Sequence, residues 1–418
     1  MAVSAAGITP TEVAPVRDQF PLLSRDVRGR RIVYLDSAAT SQKPFAVLDA
    51  MDSYYREMNA NVHRGVYLIA EEATNAIERA RDRVRAFIGA RSSSEIVFTK
   101  NATEALNLVV QSWGRANLRA DDAVVLTHME HHANIVPWQM LQAEIGFEIR
   151  WIPLDDTGRL ELTDLDRLLD GARALGATAM SNVLGTLTPV RTLTDAARAA
   201  GAISVIDGCQ SVPHTPTDVT AMGADFLAFS GHKMCGPTGI GVLWGREELL
   251  DAMPPFLGGG EMIRDVRLDG FTCNDLPWKF EAGTPPIAEI VGLGAAVDWL
   301  EGVGMDAVRA HEIGLTEYTM RTLGERFGDR LHIHGPTDPN ERGGVFSFDF
   351  DGLHPHDISQ VLDEHAVCVR AGHHCAKPLM RLLGVGATAR ASVYVYNDTS
   401  DIDALADALD ATGAFFAL

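Results

Sequence analysis

Between residues 31 and 244 short β-rich runs alternate with helical stretches, and no other feature constrains the fold of this chain as strongly. The runs read as strands are Arg31–Asp36, Glu95–Thr99, Ala123–Thr127, Phe147–Pro153, Thr178–Asn182, Ile203–Asp207, Asp225–Phe229 and Gly241–Trp244. Between them lie stretches such as Ala73–Gly89, with apolar positions at helical spacing, and Asn101–Trp113. Such alternation predicts an α/β fold with a mostly parallel sheet covered by helices on both faces. Ligands of these sheets bind outside the carboxyl ends of the strands.

The pattern breaks at Gly258–Gly260 and Pro285-Pro286. Helical text resumes over Glu289–Leu300 and His311–Phe327, followed by strand-like Gly344–Phe350, a helix at His356–His365 and a final helix after Asp401. A chain of 418 residues exceeds one ordinary core. The expected division is a large domain over 31–296, a smaller α+β domain over 297–418, and a segment 1–30 packed with the latter. A net charge of −20 argues against nucleic acid as a partner. No run approaches the roughly 20 apolar residues of a membrane span. Met1–Pro15 lacks a basic start followed by an apolar core, so the expected location is cytoplasmic.

Ser230-Gly231-His232-Lys233 sets one lysine just past an apolar run, beside a hydroxyl and an imidazole. Burial or neighbouring cations turn an inert ammonium into an amine able to form a Schiff base. A pyridoxal 5'-phosphate (PLP) site needs such a lysine for the aldehyde and polar groups for the phosphate. Alone, the tetrapeptide reads more often as a loop; its company changes the odds. Asp207 ends the run Ile203–Ile206 and fits either a helix cap or the partner of a pyridine nitrogen. Gln210 is placed to donate to the ring's phenolic oxygen. The 26 residues from Asp207 to Lys233 allow one crossover between neighbouring strands.

Thr99–Glu104 joins a strand to a helix, whose free N–H groups and dipole attract a phosphate, with the Thr103 hydroxyl adding a bond. The same residues also fit an ordinary capping box. Ser230 and His232 would complete the cradle. His131 and His132 follow the Ala123–Thr127 strand. Adjacent side chains rarely point the same way, so one imidazole stacked on the pyridine ring suits the pair better than a metal site. Asn182 is placed to bond cofactor or substrate. Near the C-terminus, Arg370-Ala371-Gly372-His373-His374-Cys375 predicts an accessible, nucleophilic thiol. Cys209, Cys235, Cys273 and Cys368 read as mostly buried structural thiols. Arg390 offers a rigid fork for a carboxylate.

Together these residues resemble the PLP-dependent cysteine desulfurases of the SUF iron–sulfur pathway, within the class V aminotransferase-like group of fold type I. The resemblance runs from about Phe20 to Leu418. It rests on L-D-S-A-A-T at 35–40, N-V-H-R-G at 61–65, N-A-T-E at 101–104, E-H-H-A-N-I-V-P-W at 130–138 and S-N-V-L-G at 181–185. Further matches are S-G-H-K at 230–233, G-P-T-G-I-G at 236–241, E-A-G-T-P at 281–285 and R-A-G-H-H-C-A at 370–376.

The resemblance implies that Lys233 holds PLP, Asp207 pairs with its ring nitrogen, His131 stacks on the ring and Gln210 binds the phenolic oxygen. It also implies that Thr103, Ser230 and His232 hold the phosphate, with Thr284 arriving from the second subunit of a homodimer and Asn182 beside the cofactor. Arg390 would bind the carboxylate of L-cysteine, with Arg370, His63 and Asn182 on the substrate side. Lys233 or His131 would move the α-proton, and Cys375 would take the sulfur as a persulfide and leave alanine. The stretch His354-Pro355-His356-Asp357 resembles the subgroup that delivers sulfur to a small zinc-bearing SUF acceptor, which His356 would engage. Cys209 and Cys235 depart from the family pattern.

Selenocysteine lyase, with L-selenocysteine as substrate, and aminotransferase are the neighbouring alternatives. A zinc hydrolase built from His63, His131, His132, His373, His374 and Cys375 lacks H-E-x-x-H or C-x-x-C spacing, so no metal is expected.

Overall fold

Seven short runs form one sheet: Ile96–Thr99 (β1), Ala123–Thr127 (β2), Glu148–Ile152 (β3), Ala172–Thr178 (β4), Ile203–Asp207 (β5), Phe226–Ser230 (β6) and Gly241–Gly245 (β7). The computed structural model describes residues 15–416; residues 1–14, which hold most of the stretch read for a secretory signal, lie outside them. The strand order is β1-β7-β6-β5-β4-β2-β3. The strands β3, β2, β4, β5 and β6 are mutually parallel, whereas β7 runs antiparallel to β6 and β1. Burial on both faces explains why β1, β2, β6 and β7 are fully buried along their length rather than alternating.

The helices used below are Phe45–Glu57 (α1), Leu68–Phe87 (α2), Ala102–Val109 (α3), Val136–Ile145 (α4), Val190–Ala199 (α5) and Ile287–Val303 (α6). Met305–Phe327 (α7), Pro355–Glu364 (α8) and Thr399–Phe415 (α9) follow. Val125, Leu175 and Leu227 share one core with α2, α5 and α6; Val124, Val205 and Ala228 share the other with α3 and α4. α2 buries Ala70, Ala73, Ile77, Ala80 and Val84, one apolar stripe at helical spacing. Gly294 of α6 lies so close to this stripe that a Cβ would come within 2.8 Å of the Ala80 Cβ. Among the described residues no helix is long and apolar enough to cross a membrane.

A second, antiparallel sheet holds Leu331–Ile333 (β8), Val345–Phe350 (β9), Arg370–Gly372 (β10) and Thr388–Ser392 (β11) in the order β8-β9-β11-β10. Phe346 and Phe348 pack there with Leu323 of α7, Leu362 of α8 and Leu405 of α9.

Three expectations change. The run Arg31–Asp36 does not join the large sheet: Arg31 ends a short hairpin with Asp26–Val27, Val33–Tyr34 pairs with Val367–Cys368, and Asp36 bridges to Ser392. Its Val33 and Leu35 side chains fill the C-terminal core. The strand expected at Thr178–Asn182 instead spans Ala172–Thr178 and ends there. Its Ala, Leu and Gly residues have weak strand propensity, and central burial overrides that. The strands β10 and β11 were absent from the sequence reading, because neither has a clear two-residue alternation.

Candidate active site

Every strand-end residue singled out in the large sheet lies at one edge. Asp207 closes β5, Ser230 closes β6, Thr99 closes β1, and β2 leads into His131. Because β7 runs antiparallel, its first residue Gly241 pairs with both Ser230 and Thr99. A Cβ at Gly241 would lie 2.5 Å from the Asn101 Cα, so glycine lets β7 abut the entry to α3. That approach puts the Ser230 hydroxyl 2.9 Å from the Ala102 N–H, which donates to it. Asn101 caps α3 by accepting from the Glu104 N–H.

This edge opens into a cavity of about 580 Å³. From the large sheet it is lined by Thr103, His131, Asn182, Asp207, Gln210, Ser230, His232 and Lys233. From the second sheet and its loops come His356, Arg370, Cys375 and Arg390. His63 and Thr284 do not line it. The His63 N–H bonds Thr74 Oγ1 and its ring lies 6.1 Å from Trp278, while Thr284 opens onto a separate groove with Tyr54, Tyr55 and Tyr67.

Burial, reinforced by Lys233, pushes His131 down to about 4, so its ring is neutral. His131 Nδ1 accepts from the Ala133 N–H at 3.0 Å, which leaves the ring proton on Nε2. His232 is also pushed down to about 4, by burial and then by Lys233 and Lys43. Asp207 is buried and accepts from the Cys209 N–H. Gln210 donates one N–H to the Ala38 carbonyl, and its Oε1 is buried without a partner.

Arg390 is no surface arginine. It stands on β11 opposite Arg370 of β10, fully buried, and burial lowers it to about 10. It donates to the Asn182 carbonyl at 2.8 Å, while its Nε has no partner. Asp36 bridges both arginines, 2.8 Å from Arg370 Nη2 and 3.4 Å from Arg390 Nη2. Asn182 itself lies in the loop after β4, and its side-chain amide donates to the His374 carbonyl at 2.7 Å.

Cys375 is exposed, with His374 and Cys375 both left-handed at φ 50° and 55°. Of the four cysteines read as mostly buried, only Cys235 is fully buried; Cys209, Cys273 and Cys368 are half-buried. Burial and Asp207 push the Cys209 thiol far up, so it stays protonated although it lines the cavity. Four supporting residues were not singled out from the sequence. Besides Asp36 these are Lys43, which donates to the Ser41 carbonyl, and Glu130, buried behind His131. The fourth is Glu281, which ties the Thr284 loop to the Phe98 N–H and to Arg81. All four stand in or beside the quoted motifs, which was the available signal.

This set fits PLP: a lysine for the aldehyde, a buried carboxylate, a buried amide with a second N–H to donate, a neutral imidazole, and hydroxyls at a helix start.

The comparisons agree with that fit. The aminotransferase class-V family model matches residues 33–405. A probable cysteine desulfurase of Streptomyces coelicolor is 52% identical over 416 residues, covering 98% of this chain and 99% of that protein. A cysteine desulfurase of Haloferax volcanii is 48% identical, covering 98% of each. Among solved structures, the apo cysteine desulfurase of Thermococcus onnurineus superposes with a TM-score of 0.92 at 40% identity, over 100% of both chains. The Escherichia coli cysteine desulfurase CsdA, in an S-sulfonic acid form, gives 0.87 at 37%, over 96% of this chain and 98% of that one. With strand ends, cavity and relatives all in accord, the chain belongs to the class-V aminotransferase family, in its PLP-dependent cysteine desulfurase group.

Proposed function

We propose that this protein converts L-cysteine to L-alanine and carries the sulfur away as a persulfide on Cys375, for an acceptor protein of SUF iron–sulfur assembly. The observation that carries the reading is that Lys233 and Cys375, from different sheets, line one cavity together with the buried Arg390. When bound, PLP supplies the electron sink for charge developing at the substrate α-carbon.

The residues around it divide the work. Asp207 would hold the proton of its ring nitrogen, His131 would supply a neutral imidazole beside the ring, and Gln210 would offer its second N–H to the phenolic oxygen. Thr103, Ser230 and His232 would hold its phosphate; the Ser230 oxygen accepts from the Ala102 N–H, which leaves its O–H to donate. Arg390 takes the substrate carboxylate through its fork, with Arg370 beside it at the cavity mouth. The Lys233 amine takes the α-proton. His131 Nδ1 is committed to Ala133, so its Nε2–H acts as a donor. The Cys375 thiolate attacks the substrate sulfur: an S–S bond forms, the Cβ–S bond breaks and leaves its electron pair on carbon, Cβ takes one proton, and Lys233 returns the α-proton to Cα to give alanine.

His356 is exposed and lines the cavity beside Cys375, which supports a zinc-bearing acceptor docking at that mouth. A homodimer is supported by the exposed apolar residues Val66, Leu68, Leu268 and Phe271, and by His63 and Thr284 lying away from their own chain's cavity. The same reading divides the chain into a cofactor domain over 31–296 and a smaller domain over 297–418, with α6 spanning the junction. Of the segment 1–30 assigned to the latter, residues 1–14 lie outside the described residues; the described part meets it through Arg17 and Phe20, which contact Asp401 and Tyr396.

Alanine formation from L-cysteine by wild type and Cys375→Ala, with mass spectrometry of the Cys375 peptide, tests this. Alanine from the wild type alone, with one sulfur added to Cys375, is the expected result. Equal alanine from both proteins would remove Cys375 from the chemistry; none from either would favour a selenocysteine lyase or aminotransferase.

A further inference from the structure

His132 stands next to His131 but faces the other sheet's loop. Its backbone N–H donates to the Cys375 carbonyl at 2.8 Å. Its Nε2 accepts from the Lys377 N–H at 3.0 Å. Most of the loop's other polar groups are satisfied within the loop, by Asn182 or, for His374 Nε2, by the Thr388 hydroxyl at 2.9 Å; His374 Nδ1 is buried without a partner. The Cys375 N–H donates to His373 Nδ1, the Ala376 N–H to the His373 carbonyl, and the Asn182 amide to the His374 carbonyl. Below the loop, Ala376, Leu379 and Met380 pack on Met129, Val183 and Leu184.

Such ties are needed because the loop is strained. Two consecutive non-glycine residues in the left-handed region are unfavourable, so the conformation persists only where its surroundings impose it. Among the described residues, His132 supplies the one side-chain acceptor through which the cofactor edge grips the backbone just after Cys375.

We propose that His132 is a positioning residue whose neutral imidazole latches the Cys375 loop to the end of β2, and that protonating it releases the loop. An imidazolium has no lone pair at Nε2, so the Lys377 N–H would lose its acceptor and face a like charge. The titratable and charged groups facing His132 are His131, His373 and Lys377, all of them bases. Burial first, then His373 and Lys377, hold His132 below the ordinary imidazole range. The latch is therefore closed at neutral pH and opens as pH falls below that range. Only its consequence for turnover rests on the desulfurase reading; the latch itself does not.

Hydrogen–deuterium exchange of the 373–380 peptide in the PLP-loaded enzyme, corrected for intrinsic rates, tests the latch. At neutral pH, His132→Ala is expected to exchange this segment about fivefold faster than wild type, the loss of one hydrogen bond. His132→Gln, whose amide oxygen reaches the Nε2 position, restores protection and keeps it at acid pH, where the wild type loses it. Equal exchange in wild type and His132→Ala would overturn the proposal. So would a His132→Gln protein that opens at acid pH as the wild type does, which would assign the switch to His373. PLP absorbance is expected to be unchanged in both variants. If wild type forms no alanine yet shows the exchange pattern, the function fails and the latch stands.

Discussion

Lys233 follows β6 in a turn whose backbone is tied down on every side, whereas Cys375 sits in a strained loop. The Gly231 N–H bonds the Ile240 carbonyl across to β7, and the Met234 and Gly236 N–H groups both return to the Gly231 carbonyl. On the His232 carbonyl alone converge the Ser41 N–H, the Ser41 and Thr40 hydroxyls and the Lys43 ammonium. The Cys375 loop, by contrast, is left-handed at two consecutive residues and is held by the His132 backbone N–H, the His132 and His373 imidazoles and the Asn182 amide. A residue that fixes a cofactor benefits from a preorganised, rigid support. A thiol that must reach a substrate and then present sulfur outside needs a segment that opens at low cost. The two reactive groups share one cavity with opposite mechanical demands.

The largest way to break the comparison is at its rigid side. Lys233→Ala is expected to lose the visible absorbance of bound PLP and to lower alanine formation by about 10²–10⁴-fold. Retained absorbance with near-normal turnover would show that the anchor lies elsewhere. Asp36→Ala removes the carboxylate shared by Arg370 and Arg390 while leaving the Lys233 turn intact. KM for L-cysteine is expected to rise about tenfold with absorbance unchanged, and an unaltered KM would detach Asp36 from substrate binding.

A smaller effect probes Glu130, behind the rigid edge. Its oxygens accept from the Thr127 hydroxyl, the Thr178 N–H and the Asn134 amide, yet burial pushes the carboxyl up to about 8. The folded state then binds the proton more tightly than the unfolded chain. The stability this contributes is present below the ordinary carboxyl range and is lost as pH rises toward about 8. Asn134 Oδ1 is buried without a partner, so a flipped Asn134 would accept from a protonated Glu130 or from glutamine. The Tm of Glu130→Gln should therefore gain on wild type as pH climbs through that window; a constant difference would mean Glu130 does not titrate there. The smallest effect is at Cys209, whose half-buried thiol is pushed up by burial and Asp207 and stays protonated. Cys209→Ala is expected to change alanine formation by less than about twofold. A larger drop would give the rigid side a sulfur-carrying role of its own.

Much of the site was legible because strand ends are local. An apolar run stopped by a polar residue marks a sheet edge, which singled out Asp207, Ser230 and, one turn on, Lys233. The same logic failed at β4, where alanines and glycine disguise a central strand, and Asn182 came out as a strand end when it is a loop residue. It failed again at Arg390, where a buried five-residue strand gave no alternation to read.

The sequence by itself determined which chemical groups are available and that most stand at strand ends, because burial and chain breaks leave a periodic record along the chain. Only the tertiary structure decided which of them meet. Asp36 reaches Arg390 across 354 residues, Asn182 reaches the Cys375 loop across 192, and His132 reaches Lys377 across 245. Periodicity reports that a residue is buried, but not the direction of its strand or the order of its neighbours. Hydrogen bonds between distant segments depend on that order, so the Cys375 latch came into view only once both sheets were assembled.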